Sequence, residues 1–95
     1  MLALAGILLA LRFLILRRKT EAARALGKIG SQQSVPLLIA ALGDSDYEVR
    51  EAAAESLGLI GSRDSLPDLE NALNDTDYGV RRAARESLRR IEENG

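Results

Sequence analysis

Charged side chains are the main groups in this sequence that could do chemistry, because its 95 residues include no histidine and no cysteine. The chain therefore has no imidazole base, no thiol nucleophile, no disulfide and no ligand for a usual zinc, haem or iron–sulfur site. Its 14 Asp and Glu residues fall at solvated positions or helix junctions, and no carboxylate pair stands apart from these. We expect no catalytic residues, no metal and no cofactor, and hence no enzyme activity.

The charges are ordered along the chain, although they sum to only −1. Residues 1–30 carry +5, residues 31–77 carry −8 and residues 78–95 carry +2. An acidic central block disfavours nucleic acid as a partner, because phosphate contacts require basic surface. The two tyrosines and one phenylalanine also offer little area for stacking on bases.

The elements that position these charges are repeated along the chain. Residues 31–61 and 62–92 match at 17 of 31 positions without a gap, and residues 20–30 hold a third, partial copy. A fixed period of this length is typical of stacked repeats, in which each unit completes its core against its neighbour. The expected fold is all-α, a short solenoid of about two and a half repeats that makes up a domain over residues 20–95.

Each repeat has the pattern of two helices. Pro36 and Pro67 fall in a first helical turn, where a missing N–H costs nothing. The stretches GDSD and NDTD then break the first helix and begin the second. The second helix carries Val49, Ala53 and Leu57 on one apolar stripe.

The run DSDYEVREAAAESLGLIG resembles the D-x-D-x-x-V-R-x-A-A-x-x-L-x-x-I motif of HEAT-like repeats of the phycobilisome-lyase type. The resemblance covers about residues 20–92. It implies a right-handed α-solenoid in which the Asp and Arg of the motif bond between adjacent repeats as a ladder. The matching residues here are Asp44, Arg50, Asp75 and Arg81.

An apolar segment precedes the repeats. Every position in the range 1–16 is hydrophobic except Gly6 and Arg12, and a helix that is apolar on every side must be surrounded by lipid or protein. We predict a single-pass membrane anchor within residues 1–19, with the repeats on the cytoplasmic side. Its predicted interface residues are basic: Arg12, Arg17, Arg18 and Lys19. The alternative is a cytoplasmic soluble protein in which residues 2–16 form a capping or dimerisation helix.

The same segment replaces the first helix of the first repeat. We therefore expect one continuous helix from about Leu2 to Ile29, whose second half serves as the second helix of the half repeat 20–30.

Solenoids of this kind bind partners on the surface lined by their second helices. The register of the repeats predicts the exposed, partner-binding residues on that surface, and the alternative is a solvated face without a ligand. The predicted residues are Arg24, Glu51, Glu55, Leu59, Arg82 and Glu86.

These observations predict a non-catalytic protein–protein interaction module, an accessory or assembly subunit that docks on a larger and possibly membrane-bound protein complex. A soluble scaffold is the alternative, and a subunit of a bilin-lyase-like enzyme is less favoured because such lyases have many more repeats. A homo-oligomer stays open, because two and a half repeats fall below the three or so that normally stand alone.

Overall fold

The computed structural model describes residues 2–94, and the side chains from residue 4 onward. It contains five helices over this range and no strand. Helix α1 spans Leu2–Ile29, α2 spans Val35–Ala41, α3 spans Tyr47–Ile60, α4 spans Leu66–Ala72 and α5 spans Tyr78–Asn94. The predicted all-α repeat fold and the continuous first helix are confirmed. Met1 and Gly95, which the predicted domain ranges include, lie outside the described residues.

The second helices form the centre of the molecule. Helix α3 packs against α1 and against α5, while the short helices α2 and α4 pack on α3 and α5, respectively. The core contains fully buried alanines and leucines, among them Ala53, Leu57 and Leu69. Small alanine side chains let the helix axes approach closely. The molecule is elongated, 55 × 27 × 15 Å, and the 28-residue helix α1 is about 42 Å long at 1.5 Å per residue.

The helix boundaries follow from local chemistry. Pro36 and Pro67 lie in the first turns of α2 and α4, where a missing N–H breaks no helical bond. Gly30 and Gly61 follow α1 and α3 with φ of 74° and 75°, the left-handed conformation that glycine adopts without strain. A 3₁₀ turn then leads into each short helix, at Gln32–Ser34 and at Arg63–Ser65.

The two halves of α1 have different surroundings. Its second half packs on α3 through the buried residues Ala23 and Gly27. Its first half projects from the repeats, and eight large apolar side chains between Leu4 and Ile15 are 49–65% exposed.

The prediction of a single-pass anchor needs correction. No helix within residues 2–94 is long and apolar enough to cross a membrane. The apolar run of α1 ends at Leu16 and is interrupted by Arg12, so it falls short of the roughly 20 apolar residues that a bilayer-spanning helix needs.

Candidate functional site

Paired glycine and serine residues bring the second helices into close contact. The Ser56 hydroxyl donates to the Ala23 carbonyl and the Ser87 hydroxyl donates to the Ala54 carbonyl, both at 2.6 Å. Each serine lies against a helical glycine of the preceding helix. A Cβ at Gly58 would lie 2.6 Å from Ser87 Cβ and 2.9 Å from Ser87 Cα. These distances are too short for any residue other than glycine at this position. Sequence reasoning missed this contact, although a mid-helix glycine at the same register position of two copies was a signal for it.

An arginine of α3 ties two repeats together. Arg50 Nε donates to Asp75 Oδ2 at 2.9 Å and Nη2 donates to Oδ1 at 3.1 Å. Arg50 Nη1 also donates to the carbonyls of Asp44 and Ser45, at 2.7 and 3.1 Å. The two charged side chains are only 14% and 13% exposed. A bidentate pair of this kind is both stronger and more directional than a single ion contact.

The environment of Asp75 favours its ionised form. Burial alone would raise the pKa of this carboxyl, but hydrogen bonds from the Arg50 side chain and the Asp77 amide, with the charges of Arg50 and Arg81, hold it below its ordinary value. The carboxylate therefore stays ionised and bound to Arg50 at neutral pH.

The basic residues predicted at a membrane interface have different partners. Lys19 occupies in α1 the register position of Arg50, and its Nζ lies 3.4 Å from Asp44 Oδ2. Arg17 pairs with Glu21 at 3.2 Å on an exposed face. Arg12 and Arg18 are exposed. Asp44, which the resemblance placed in the ladder, is therefore bound by a lysine, and sequence reasoning missed that role of Lys19.

Arg81 is the third residue in the series Lys19, Arg50 and Arg81. Its Nη1 donates to the carbonyls of Asp75 and Thr76 at 2.7 and 3.0 Å, as Arg50 does in its own loop. The guanidinium carbon lies 5.8 Å from the centre of the Tyr78 ring.

The predicted partner-binding residues fall on two parts of the second-helix face. A groove of about 220 Å³ between α3 and α5 is lined by Glu55, Leu59, Glu86 and Arg90, together with Ala83 and Ser87. A neighbouring hollow of about 170 Å³ adds Glu51 and Arg82. We call these two together the second-helix groove.

Arg24 does not line the second-helix groove. It borders a separate hollow between α1 and the start of α3, with Phe13, Thr20 and Glu48 among its neighbours. Arg24 is still near enough to the groove that its charge lowers the pKa of Glu51.

Negative charge is crowded at the acidic end of the groove. Burial, then the charges of Glu55 and Asp77, raise the pKa of Glu51, and the charges of Arg24 and Arg82 offset this only in part. Glu51 and Glu55 are one turn apart on α3, where like charges are destabilising. This end of the groove is therefore suited to a positively charged ligand group.

The groove has the chemistry of a binding surface. Within residues 2–94, no group of three or more acidic side chains is arranged to hold a metal ion. Over the same range, every fully buried polar side-chain atom has a hydrogen-bond partner. The exposed apolar side chain in the groove is Leu59, 52% exposed among charged neighbours.

Stacked two-helix units, joined by bonds between neighbouring repeats and with a groove along their second helices, define an α-solenoid repeat protein. The family described as HEAT repeats matches residues 18–89. That match covers more than half of the chain, so the chain belongs to the HEAT-repeat family. No curated protein matches the chain. HEAT repeats generally mediate protein–protein interaction or scaffolding and are typically non-catalytic.

Proposed function

We propose that this chain is a scaffold subunit whose second-helix groove binds a protein partner. The observation that carries the proposal is the position of Leu59, an exposed leucine in a groove that also presents Glu55, Glu86 and Arg90. An apolar side chain surrounded by charged groups matches the arrangement of interfaces, in which a central apolar contact has a polar rim.

The charges of the groove indicate the chemistry of the partner. Burial and the charges of Glu55 and Asp77 raise the pKa of Glu51, and a lysine or arginine of the partner would offset the part that is due to these charges. The proposed partner segment therefore carries a basic side chain next to an apolar one that covers Leu59. Complementary charge of this kind contributes chiefly to the rate and specificity of association.

Photocrosslinking at single leucines tests this location. Benzoylphenylalanine is placed at Leu59 in one variant and at Leu37 in another, since Leu37 is 67% exposed but lies on α2. The native partner is first isolated with the unmodified chain and identified by mass spectrometry. The purified partner should crosslink at Leu59 and not at Leu37. Equal crosslinking at the two positions, or crosslinking at Leu37 alone, would place the partner elsewhere and reject the groove.

A second copy of the chain is the proposed occupant of the apolar half of α1. Leu4, Leu8, Leu11 and Ile15 are spaced by 4, 3 and 4 residues, which is the seam of paired helices, and each is about half exposed or more. Eight such side chains form a larger apolar surface than soluble monomers usually leave open. This supports the dimerisation helix over the membrane anchor.

The finer assignment within the HEAT repeats is also a proposal. The repeated D-x-D-x-x-V-R run supports the phycobilisome-lyase type, and the Arg50–Asp75 pair joins two copies of that motif. An accessory or assembly subunit is the proposed role, in keeping with a groove that offers charged and apolar contacts to a protein partner.

A further inference from the structure

At the outer edge of α5, Arg81 has part of the hydrogen-bonding arrangement with which Arg50 binds a carboxylate. In Arg50, Nη1 is fixed by two loop carbonyls while Nε and Nη2 point to the two oxygens of Asp75. The loop carbonyls thus orient the guanidinium before the carboxylate arrives. Preorganised groups bind more tightly because little rotamer freedom is lost on binding.

Arg81 repeats the first part of this arrangement without the second. Its Nη1 donates to the carbonyls of Asp75 and Thr76 at 2.7 and 3.0 Å, where Arg50 makes the corresponding two bonds at 2.7 and 3.1 Å. Its Nε and Nη2 atoms make no hydrogen bond with residues 2–94, and the side chain is only half-buried. Arg81 is therefore oriented for a bidentate carboxylate that none of the described residues supplies.

A further repeat stacked in the same register is a poor candidate for that carboxylate. Each close contact between second helices needs a glycine on the earlier helix, as Gly58 shows against Ser87. The same register position in α5 is Arg89, whose side chain would fill the space that the next helix must occupy. Arg89 lies about 12 Å along the helix from Arg81, so it blocks a stacked helix while leaving the Arg81 end accessible.

The charge of this edge selects among other occupants. Arg82, Arg85 and Arg89 border one hollow on α5 together with Glu86, so positive charge predominates along this side of the helix. The ladder carboxylates of a second copy are already occupied, Asp44 by Lys19 and Asp75 by Arg50. We propose that the edge binds an acidic segment of a partner protein, with one Asp or Glu side chain bonded to Nε and Nη2 of Arg81. Arg82 and Glu86 also line the second-helix groove, but Arg81 does not.

The test uses the full chain and a probe taken from its own repeat. The peptide ALNDTDYG, the sequence of residues 72–79, is acetylated and amidated and titrated into ¹⁵N-labelled protein. The Nε–Hε signal of Arg81 should shift and saturate with a millimolar dissociation constant. The same peptide carrying Asp75→Asn should give no saturating shift. Equal shifts with both peptides would reduce the effect to general charge attraction and overturn the proposal.

Variants separate the bidentate contact from the positive charge. Arg81→Lys keeps the charge but not the forked donors, and should weaken peptide binding about fivefold, the scale of one partly exposed ion pair. Arg63→Lys is the matched control, because Arg63 is exposed, lies outside α5 and makes no side-chain hydrogen bond within residues 2–94; it should bind as the native chain does. An unchanged affinity in Arg81→Lys would overturn the proposal.

Folding and surface controls complete the experiment. Backbone amide signals outside residues 74–85 should stay in place in Arg81→Lys, which would show that the repeats are intact. Glu51→Lys combined with Glu55→Lys should bind the peptide normally, so failure at the groove and failure at this edge are distinguishable. Vesicles of phosphatidylcholine and phosphatidylserine could shift the Arg81 signal more than the peptide does. That result would identify lipid, and not an acidic protein segment, as the ligand and overturn the proposal.

Discussion

Glu51 and Asp75 lie in neighbouring repeats, and the pKa values of their carboxyl groups shift in opposite directions. The bonds of Arg50 lower the pKa of Asp75, whereas burial and the charges of Glu55 and Asp77 raise the pKa of Glu51. Asp75 therefore stabilises the fold above its ordinary pKa of 3.8, and this contribution is lost as pH falls through its lower folded-state pKa. Ionised Glu51 destabilises the fold at neutral pH, and protonation removes that cost.

Glu51→Gln should therefore stabilise the protein at pH 7. The gain should be about 0.5 kcal/mol, the scale of a like-charge pair one helical turn apart. It should shrink as pH falls through the raised pKa of Glu51 and vanish below about the ordinary pKa of 4.5, where the native side chain is itself protonated. Urea unfolding at several pH values measures this difference.

Glu70→Gln is the control for that experiment. Glu70 is an exposed carboxylate on α4, and its replacement should leave the free energy of unfolding unchanged across the same pH range. A Glu51→Gln variant that is less stable than the native chain at pH 7 would show that Glu51 is held by favourable contacts.

The two halves of helix α1 differ in how far their apolar side chains are buried. Its second half is covered by α3, while its first half exposes Leu8, Leu11 and their neighbours. Pairing with a second copy along Leu4, Leu8, Leu11 and Ile15 would bury these side chains. Burial stabilises the pair by about 25 cal/mol for each Å² of apolar area removed from water.

Leu8→Glu combined with Leu11→Glu should abolish this pairing, because two carboxylates would then face the apolar seam. Without detergent, size-exclusion chromatography with multi-angle light scattering should give the native chain twice the monomer mass of 10.3 kDa. The double variant should have the mass of a monomer. Leu59→Glu changes an equally exposed leucine outside α1 and should remain dimeric. A native chain that is monomeric, or that is recovered only in detergent, contradicts the dimerisation helix.

The helices themselves were predictable from the sequence, whereas several contacts between them were not. The apolar stripe with Ala53 and Leu57, and the glycine that follows it, predict where α3 lies and ends, since both signals are local. The pairing of Ser56 with Ala23, or of Lys19 with Asp44, depends on the rotation and offset of one helix against another. Those quantities are set by packing across the repeats. Arg24 illustrates the same limit, because its register position did not show that it borders a different hollow from Leu59.

For the whole molecule, the three charge blocks of the sequence correspond to distinct surfaces. The +5 block is largely the exposed face of α1, the −8 block includes the acidic end of the second-helix groove, and the +2 block is the arginine-bearing helix α5. The near-neutral total thus combines three surfaces that favour different ligands. On this account the groove binds a basic and apolar protein segment, while the edge of α5 binds an acidic one.

The affinity of the purified partner for charge-reversed chains tests the central claim most directly. Glu51→Lys with Glu55→Lys reverses the acidic end of the groove, and Asp64→Lys with Glu70→Lys makes the same change of charge at exposed positions away from it. Calorimetry should show the dissociation constant rising at least about tenfold in the groove variant, the scale of 1.4 kcal/mol, and little change in the control. Equal loss of affinity in both variants, or native affinity in the groove variant, would contradict binding of the partner in the second-helix groove.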